Sequence, residues 1–380
     1  MSSKKKFIPY GRQSIDSDDI NSVIDTLKSD FLTQGPKIEE FENAISNYCG
    51  AKYSVAVSNA TAALHIAALA LLKKGDKVLT SPNSFLATSN AILYADAEPI
   101  FVDIKKDGNI DLDLCEEMIK KDSSIKAIFA IAMTGLMVDQ KKLDRLKNQY
   151  GIKILEDCAH AIGAQYDDIK AGSCRFSDCT IFSFHPVKLI TTGEGGVITT
   201  NSFSLYEKLK LLRSHGMFKD SSMSPWKYEM RDLGFNYRLT DIQCSLGLSQ
   251  LKKLDSFISN RKSIAKRYDT LFCDTFVNPL YLYNGKSSYH LYVIQVDFQH
   301  LNISKEKLFN VMREKKNIGL QVHYIPINKQ PFYKSIGYGS ESTPEMDNYY
   351  QKSFSIPMYP LLKQKEQEYV VKSLFEVLSS

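Results

Sequence analysis

Apolar residues recur along this chain with a helical period in some segments and as short unbroken runs in others. From residue 15 the period is helical, Asp16 or Ser17 can cap the first turn, and Gly35-Pro36 ends the unit. One face of this predicted helix carries Ile20, Val23, Ile24 and Leu27. The pattern therefore predicts an amphipathic helix near the N-terminus.

Short apolar runs and helical periods then alternate as far as residue 200. The predicted strands are residues 54–57, 77–81, 99–102, 127–132, 152–155, 180–184 and 196–200. Helices at 61–74 and 139–150, and another after residue 81, lie between them. This alternation predicts a mostly parallel sheet of seven strands. Because only short turns separate the last two strands, we expect one antiparallel neighbour.

The pattern changes after Asp241. A long helical period, bent near Asp255, precedes the C-terminal elements. These are strands at 290–296 and 319–324 and helices at 304–316 and 365–378. We therefore predict an α/β fold with a large domain, residues 1–250, and a smaller α+β domain, residues 251–380.

Composition excludes several classes of function. The 380 residues are 43% apolar and 24% charged, and the net charge of +5 is spread along the chain, unlike the basic patch of a nucleic-acid-binding protein. No apolar stretch approaches the roughly twenty residues that span a bilayer. The seven cysteines form no CxxC pair, which favours a reducing compartment. We expect a soluble cytoplasmic protein without a membrane segment.

Metal-binding and dinucleotide-binding spacings are missing from the sequence. The seven histidines are scattered without an HExxH motif, and no GxGxxG motif follows a predicted strand. The chemistry must therefore come from other residues.

Asp157 and Lys188 are the first candidates. Asp157 follows a predicted strand, at the edge where open α/β sheets bind ligands, although an aspartate there also serves as a helix cap or a metal ligand. Lys188 follows an apolar strand, which can desolvate its amine, although most single lysines are surface residues. Pyridoxal 5′-phosphate (PLP) requires both groups, a carboxylate for its pyridinium nitrogen and an amine for the Schiff base.

Three further residues suit the remaining parts of such a cofactor. Thr61 lies where a strand turns into a helix, and there it can bind a phosphate or merely cap the helix. Ser183 is a second candidate for the phosphate. Phe85 can stack on the pyridine ring or pack in the core.

Several segments, taken together and in this order, resemble the sugar aminotransferases of the DegT/DnrJ/EryC1/StrS family. They are SNATAALHIAAL, SPNSFLATSNAILYADAEPIFVDI, EDCAHAIGA, FSFHPVKLITTGEGG, LLRSHGM and LGFNYRLTDIQCSLGLSQL. The branch of that family that serves pseudaminic acid biosynthesis is the most similar, in the segments FSFHPVKLITTGEGG, KLLRSHGM, LSQLKKLD, HLY and QVHYIPI. The resemblance runs from about Ile8 to the C-terminus.

The resemblance implies an aspartate-aminotransferase-like type I fold and a homodimer with shared active sites. It implies PLP as the cofactor and L-glutamate as the amino donor. The implied acceptor is a UDP-linked 4-keto-6-deoxy-N-acetylhexosamine, aminated at C4 for the glycosylation of flagellin or other surface structures.

The resemblance also assigns roles by position. Lys188 is the Schiff-base lysine, Asp157 pairs with the pyridinium, and Phe85 stacks on the ring. The phosphate is bound by Ala60, Thr61, Ser183 and Asn236, the last from the neighbouring subunit, and His160 lies near the ring oxygen. The candidates for substrate binding are Tyr10, Thr33, Arg238, His323 and Tyr324. The sequence departs from the family where Asn59-Ala60-Thr61 replaces Ser-Gly-Thr and where His160 replaces glutamine.

Four other functions compete with this interpretation. A dehydratase of the same superfamily typically has histidine at the position of Lys188. A catalytically silent PLP-binding regulatory protein would not respond to glutamate. A nucleotide-sugar oxidoreductase would need the missing glycine motif. An aminotransferase of the same family can act on a dTDP- or GDP-linked sugar instead.

Overall fold

A computed structural model describes residues 6–220 and 222–379 of the chain. The helices are α1 (Ser17–Leu27), α2 (Pro36–Cys49), α3 (Ala60–Leu71), α4 (Ala87–Tyr94), α5 (Leu112–Lys121), α6 (Gln140–Tyr150), α7 (Phe203–Arg213), α8 (Asp241–Leu251), α9 (Leu254–Phe272), α10 (Lys305–Glu314), α11 (Pro331–Ser335), α12 (Pro344–Lys352) and α13 (Gln364–Leu378). The strands are β1 (Tyr53–Val57), β2 (Lys77–Thr80), β3 (Glu98–Phe101), β4 (Ile125–Ile131), β5 (Lys153–Asp157), β6 (Gln165–Tyr166), β7 (Ile169–Lys170), β8 (Cys179–Ser183), β9 (Gly196–Thr200), β10 (Met217–Phe218), β11 (Glu229–Met230), β12 (Asn278–Pro279), β13 (Tyr292–Gln295) and β14 (Ser353–Ile356).

The central sheet of the described residues has seven strands in the order β1-β9-β8-β5-β4-β2-β3. Within it β9 runs antiparallel to both β1 and β8, and the remaining neighbours are parallel. The predicted α/β fold, with a mostly parallel sheet of seven strands, is confirmed. The carboxyl ends of the parallel strands meet at one edge, as this topology requires.

The structure corrects the prediction at Gly35-Pro36, which begins a helix as well as ending a unit. Pro36 is the first residue of α2, where its missing N–H costs no helical hydrogen bond. Gly35 and Lys37 donate their backbone N–H groups to the Asp241 carboxylate, which supplies the cap that the segment lacks. The sequence pattern also missed the helices α5, α7, α11 and α12.

The predicted strand at 319–324 is also wrong. The backbone N–H of Ile8 donates to the carbonyl of Asn317, and the N–H of Gly319 donates to the carbonyl of Ile8. Further along, Gln321 forms only an isolated bridge with Ser355. The backbone of this segment therefore bonds to two different partners, Ile8 and Ser355, and forms no continuous strand pairing. The sheet of the C-terminal part consists instead of β12, β13 and β14.

The predicted long helix is two helices, because α8 ends at Leu251 and α9 begins at Leu254. The first turns of α9 pack in a core with Phe41 and Phe184, and its later turns pack with Tyr292 in the core of the C-terminal part. The predicted domain boundary between residues 250 and 251 lies just before this shared helix. It stays a prediction.

The apolar face of α1 is not covered by the rest of the described chain. Ile20 and Leu27 are 53% and 54% exposed, whereas Asp19 is fully buried. Asp19 accepts hydrogen bonds from Ser249 and Gln250 of α8, which hold the helix by its polar side. The outward apolar face is free to contact another surface.

The part of the chain that the structure describes contains neither a membrane-spanning helix nor a metal-binding cluster. No helix there has both the length and the apolar character needed to cross a membrane. Nor do residues 6–220 and 222–379 contain a cluster of three or more side chains able to hold a metal ion.

Candidate active site

A cleft of about 1020 Å³ opens at the carboxyl edge of the central sheet. Ile131, Asp157 and Ser183, the last residues of β4, β5 and β8, contribute to its wall. The structure brings ten of the predicted site residues together there, namely Tyr10, Ala60, Thr61, Phe85, Asp157, His160, Ser183, Lys188, His323 and Tyr324. These residues come from widely separated segments, which the sheet topology joins at one place.

Lys188 is half-buried in the turn between β8 and β9. Its backbone N–H donates to the carbonyl of His185, and Thr191 returns to the strand end by donating its hydroxyl to the carbonyl of Phe184. Burial lowers the pKa of the Lys188 amine to about 8, although the nearby Asp157 carboxylate opposes this shift. The amine is therefore neutral, and able to attack a carbonyl carbon, at much lower pH than an ordinary lysine.

Asp157 is almost completely buried at the end of β5, with 6% of its surface exposed. Burial raises the pKa of its carboxyl, while hydrogen bonds from the Thr88 hydroxyl and the Ala159 backbone N–H favour the ionised form. A buried carboxylate is costly unless a cation compensates it. A protonated ring nitrogen placed in the cleft would provide that cation.

The first turn of α3 offers a cradle for a phosphate. Asn59 caps the helix by accepting from the Ala62 N–H, and both Ala60 and Thr61 line the cleft. At Gly196 an added Cβ would lie 2.6 Å from the carbonyl carbon of Asn59 and 2.7 Å from the nitrogen of Ala60. Glycine at 196 thus lets β9 pass directly beneath the turn, so that N–H groups and helix dipole can face an anion.

Histidine and tyrosine side chains form another part of the wall of the cleft. The imidazole Nε2 of His160 lies 3.1 Å from the hydroxyl of Tyr324, and the ring of Tyr324 lies 6.2 Å from that of Phe85. His323 bonds to the Ser355 hydroxyl at 2.8 Å, and burial lowers its pKa to about 3. Burial also holds the pKa of His160 well below its usual range, so this wall is uncharged near neutral pH.

Three predicted site residues do not line the cleft of this chain. Thr33 and Arg238 form isolated backbone bridges with Thr240 and Val57, and Asn236 bridges Ser214 and is exposed. An exposed Asn236 is compatible with its predicted role toward a neighbouring subunit. The roles assigned to these three residues, like those of the ten that line the cleft, stay predictions.

Sequence reasoning missed several residues of the cleft and its immediate support. Thr88, His290 and Tyr237 are the main ones: Thr88 contacts Asp157, while the other two line the cleft. Thr88 had a readable signal, since it lies one helical turn beyond Ser84 in the segment that carries Phe85. His290 packs against His160 with ring centres 4.5 Å apart, a contact between distant segments that no local pattern indicates.

The residues present fit PLP, because one cleft combines a buried carboxylate, a lysine with a lowered pKa and a helix N-terminus kept open by glycine. Fold and site together define a PLP-dependent transferase with the aspartate-aminotransferase-like fold. The chain belongs to the DegT/DnrJ/EryC1/StrS aminotransferase family, whose family model matches residues 13–375. Enzymes of this family are PLP-dependent sugar aminotransferases.

Similar proteins match the chain over nearly its whole length. The UDP-4-amino-4,6-dideoxy-N-acetyl-beta-L-altrosamine transaminase of Campylobacter jejuni subsp. jejuni serotype O:23/36 is 40% identical, and the match covers 98% of this chain and 97% of the relative. Helicobacter pylori PseC, an aminotransferase involved in the biosynthesis of pseudoaminic acid, superposes with a TM-score of 0.93 at 32% identity, covering 98% and 99% of the two chains. The PLP form of Spr1654 from Streptococcus pneumoniae gives 0.88 at 29% identity, with 98% of each chain covered.

Proposed function

We propose that this enzyme transfers the amino group of L-glutamate to C4 of a UDP-linked 4-keto-6-deoxy-N-acetylhexosamine. The product is UDP-4-amino-4,6-dideoxy-N-acetyl-β-L-altrosamine, an intermediate of pseudaminic acid biosynthesis. The reaction type is supported by Lys188 and Asp157 lining one cleft with the first turn of α3. The substrate is supported by the near full-length similarity to the transaminase of Campylobacter jejuni that carries this name.

The chain's own residues have distinct tasks in this reaction. When bound, PLP supplies an electron-withdrawing ring that stabilises negative charge at the Cα of the amino donor. Lys188 holds the cofactor covalently at rest and, once freed, carries a proton away from the donor Cα and later delivers one to C4 of the sugar. Asp157 keeps the ring nitrogen protonated.

Residues of the aromatic wall orient the acceptor in this proposal. Tyr10 packs against His323 with ring centres 5.4 Å apart, and both line the cleft with Tyr324. Uncharged imidazole and phenol groups can hydrogen-bond sugar hydroxyls without attracting a counter-ion.

The decisive experiment incubates the purified protein with PLP, L-glutamate and a panel of UDP-, dTDP- and GDP-linked 4-keto sugars. We expect amination of the UDP-linked N-acetylhexosamine, with NMR showing the C4 configuration of the altrosamine product. Exclusive use of a dTDP- or GDP-linked sugar would overturn the substrate and keep the reaction type.

A second measurement separates a transaminase from a catalytically silent PLP-binding protein. Glutamate alone should convert the absorbance spectrum of the PLP-loaded protein to that of the amine form of the cofactor, with release of 2-oxoglutarate. The Lys188→Ala variant serves as the control and should give neither change. A wild-type spectrum that glutamate leaves unaltered would refute the enzymatic function.

The proposal also includes a homodimer in the cytoplasm, serving the glycosylation of flagellin or other surface structures. The homodimer is supported by the exposed apolar face of α1, together with Trp226 and Leu233, which are 79% and 75% exposed. Several exposed apolar side chains on one face, as on α1, are typical of an association surface. All seven cysteines are free, as suits a reducing compartment.

A further inference from the structure

A pair of buried hydroxyl groups lies behind the Asp157 carboxylate. Thr88 Oγ1 is 2.6 Å from Asp157 Oδ2, and Ser84 Oγ is 3.0 Å from Thr88 Oγ1. The exposed fractions of Ser84, Thr88 and Asp157 are 3%, 1% and 6%. Little of these side chains is open to solvent, which makes each hydrogen bond worth more than a similar bond at the surface.

The charge of Asp157 decides the direction of both bonds. An ionised carboxylate only accepts, so Thr88 donates its single hydroxyl proton to Oδ2. The oxygen of Thr88 is then an acceptor, and Ser84 must donate to it. On the other side, the backbone N–H of Ala159 donates to Oδ1 at 3.1 Å. Both carboxylate oxygens are thereby fixed in position.

We propose that Thr88, supported by Ser84, is a positioning residue that holds Asp157 ionised and oriented to receive the ring N–H of PLP. Thr88 acts through Asp157. The inference rests on the PLP-dependent function proposed above. Its physical basis is that charge-assisted hydrogen bonds are the strong ones, and that a buried carboxylate deprived of one reverts toward its neutral form.

The test compares Thr88→Val, which keeps the shape of the side chain, with Thr88→Ser, which keeps the hydroxyl. We expect Thr88→Val to lower the affinity for PLP by about tenfold, the effect typical of losing one hydrogen bond to a charged group. Thr88→Ser should bind within a few-fold of wild type. Nitrogen NMR of isotope-labelled PLP should show the ring nitrogen of the Thr88→Val complex losing its proton at lower pH than in wild type.

Thr80→Val is the matched control. Thr80 is also fully buried, on β2, and donates its hydroxyl to the carbonyl of Phe129 at 3.1 Å. This variant should lose stability without any change in PLP affinity or in the ring-nitrogen signal. If Thr88→Val behaves like Thr80→Val in both readouts, Thr88 is merely structural and the inference is wrong.

Two further arms keep the outcome interpretable. A wild-type protein that does not bind PLP would overturn the cofactor assignment itself, whereas normal wild-type binding with unaffected Thr88→Val overturns only the role of Thr88. If Thr88→Val does not fold, Ser84→Ala takes its place. It should shift the ring-nitrogen signal in the same direction by a smaller amount, and an unshifted signal would contradict the proposal.

Discussion

Lys188 combines a location in the cleft with a pKa that burial lowers to about 8. Only the neutral amine attacks the aldehyde of PLP, so the rate of covalent attachment to the cofactor-free protein should rise with pH and level off above about 8. Rapid-mixing absorbance measurements between about pH 6 and pH 10 would show this. A rate that keeps rising toward the pKa of an ordinary lysine would contradict the assignment.

The control for that profile is Lys305 on α10. Burial lowers its pKa to about 8 as well, but its ammonium donates to the backbone carbonyls of Tyr350 and Ser353 in the C-terminal part. Lys305→Arg should leave both the rate and its pH dependence unchanged, whereas Lys188→Arg should abolish attachment. The comparison shows whether attachment of PLP depends on the lowered pKa alone or also on the location of the lysine in the cleft.

The buried carboxylate of Asp157 is expected to help cofactor binding and to lower the stability of the cofactor-free protein. Burial raises the pKa of its carboxyl when the chain folds. Between the ordinary aspartate pKa and this raised pKa, the folded state therefore holds more protons than the unfolded state. The free energy of unfolding of the cofactor-free protein is therefore lowered as pH rises through this range. Asp157→Asn should be more stable than wild type near neutral pH, with a difference that shrinks toward about pH 4, and should bind PLP more weakly.

Urea unfolding of the cofactor-free proteins at both pH values, together with PLP titration, checks this prediction. Glu156 provides the matched control, because it is also buried and its pKa is also raised by burial, but it bonds to Gln140 away from the cleft. Glu156→Gln should leave PLP affinity unchanged. An Asp157→Asn variant with wild-type PLP affinity would remove Asp157 from the site.

Among the elements, β9 and α3 depend on each other at Gly196. An added Cβ there would meet the backbone of Asn59 and Ala60, which cannot move without shifting the phosphate cradle. We expect Gly196→Ala to cost about 1–3 kcal/mol of stability, as overpacking does, and to weaken PLP binding. Thermal unfolding and PLP titration measure the two effects.

Gly75→Ala is the control for the effect of replacing any glycine by alanine. Gly75 has a positive φ of 82° before β2, and an added Cβ there would contact nothing within 4 Å. The substitution should cost about 1 kcal/mol through backbone strain alone. PLP affinity should not change. Equal PLP affinities for Gly196→Ala and wild type would show that the close approach does not shape the cradle.

For the whole molecule, the proposed homodimer makes a prediction about shared sites. Asn236 is exposed and lies outside the cleft of its own chain. If it reaches the phosphate bound by a second copy, a mixture of inactive Lys188→Ala and Asn236→Ala subunits should regain activity. Random exchange gives half mixed dimers with one intact site each, so about one quarter of wild-type activity is expected. No recovery, despite mixed dimers shown by native mass spectrometry, would contradict sharing.

Much of the architecture follows from the sequence alone, because apolar periodicity reports locally which residues are buried. It predicted the seven strands, the antiparallel neighbour near Lys188 and the closing helix α13. Its failures include α2, whose proline marks a start as readily as a stop, and residues 319–324, whose aromatic residues resemble a strand but line the cleft. Those two outcomes depend on Asp241 and Ile8, partners that are distant in sequence.

The candidate site shows the same division. The sequence by itself determined that Asp157 ends a strand, that Lys188 lies in a turn and that Thr61 opens a helix, since each follows from local pattern. Only the tertiary structure decided that these residues line one cleft, that Thr88 and Ser84 support the carboxylate, and that Gly196 passes beneath the helix. The lowered pKa of Lys188 and the raised pKa of Asp157 likewise arise only in the folded protein, because burial is a property of packed neighbours and not of residue order.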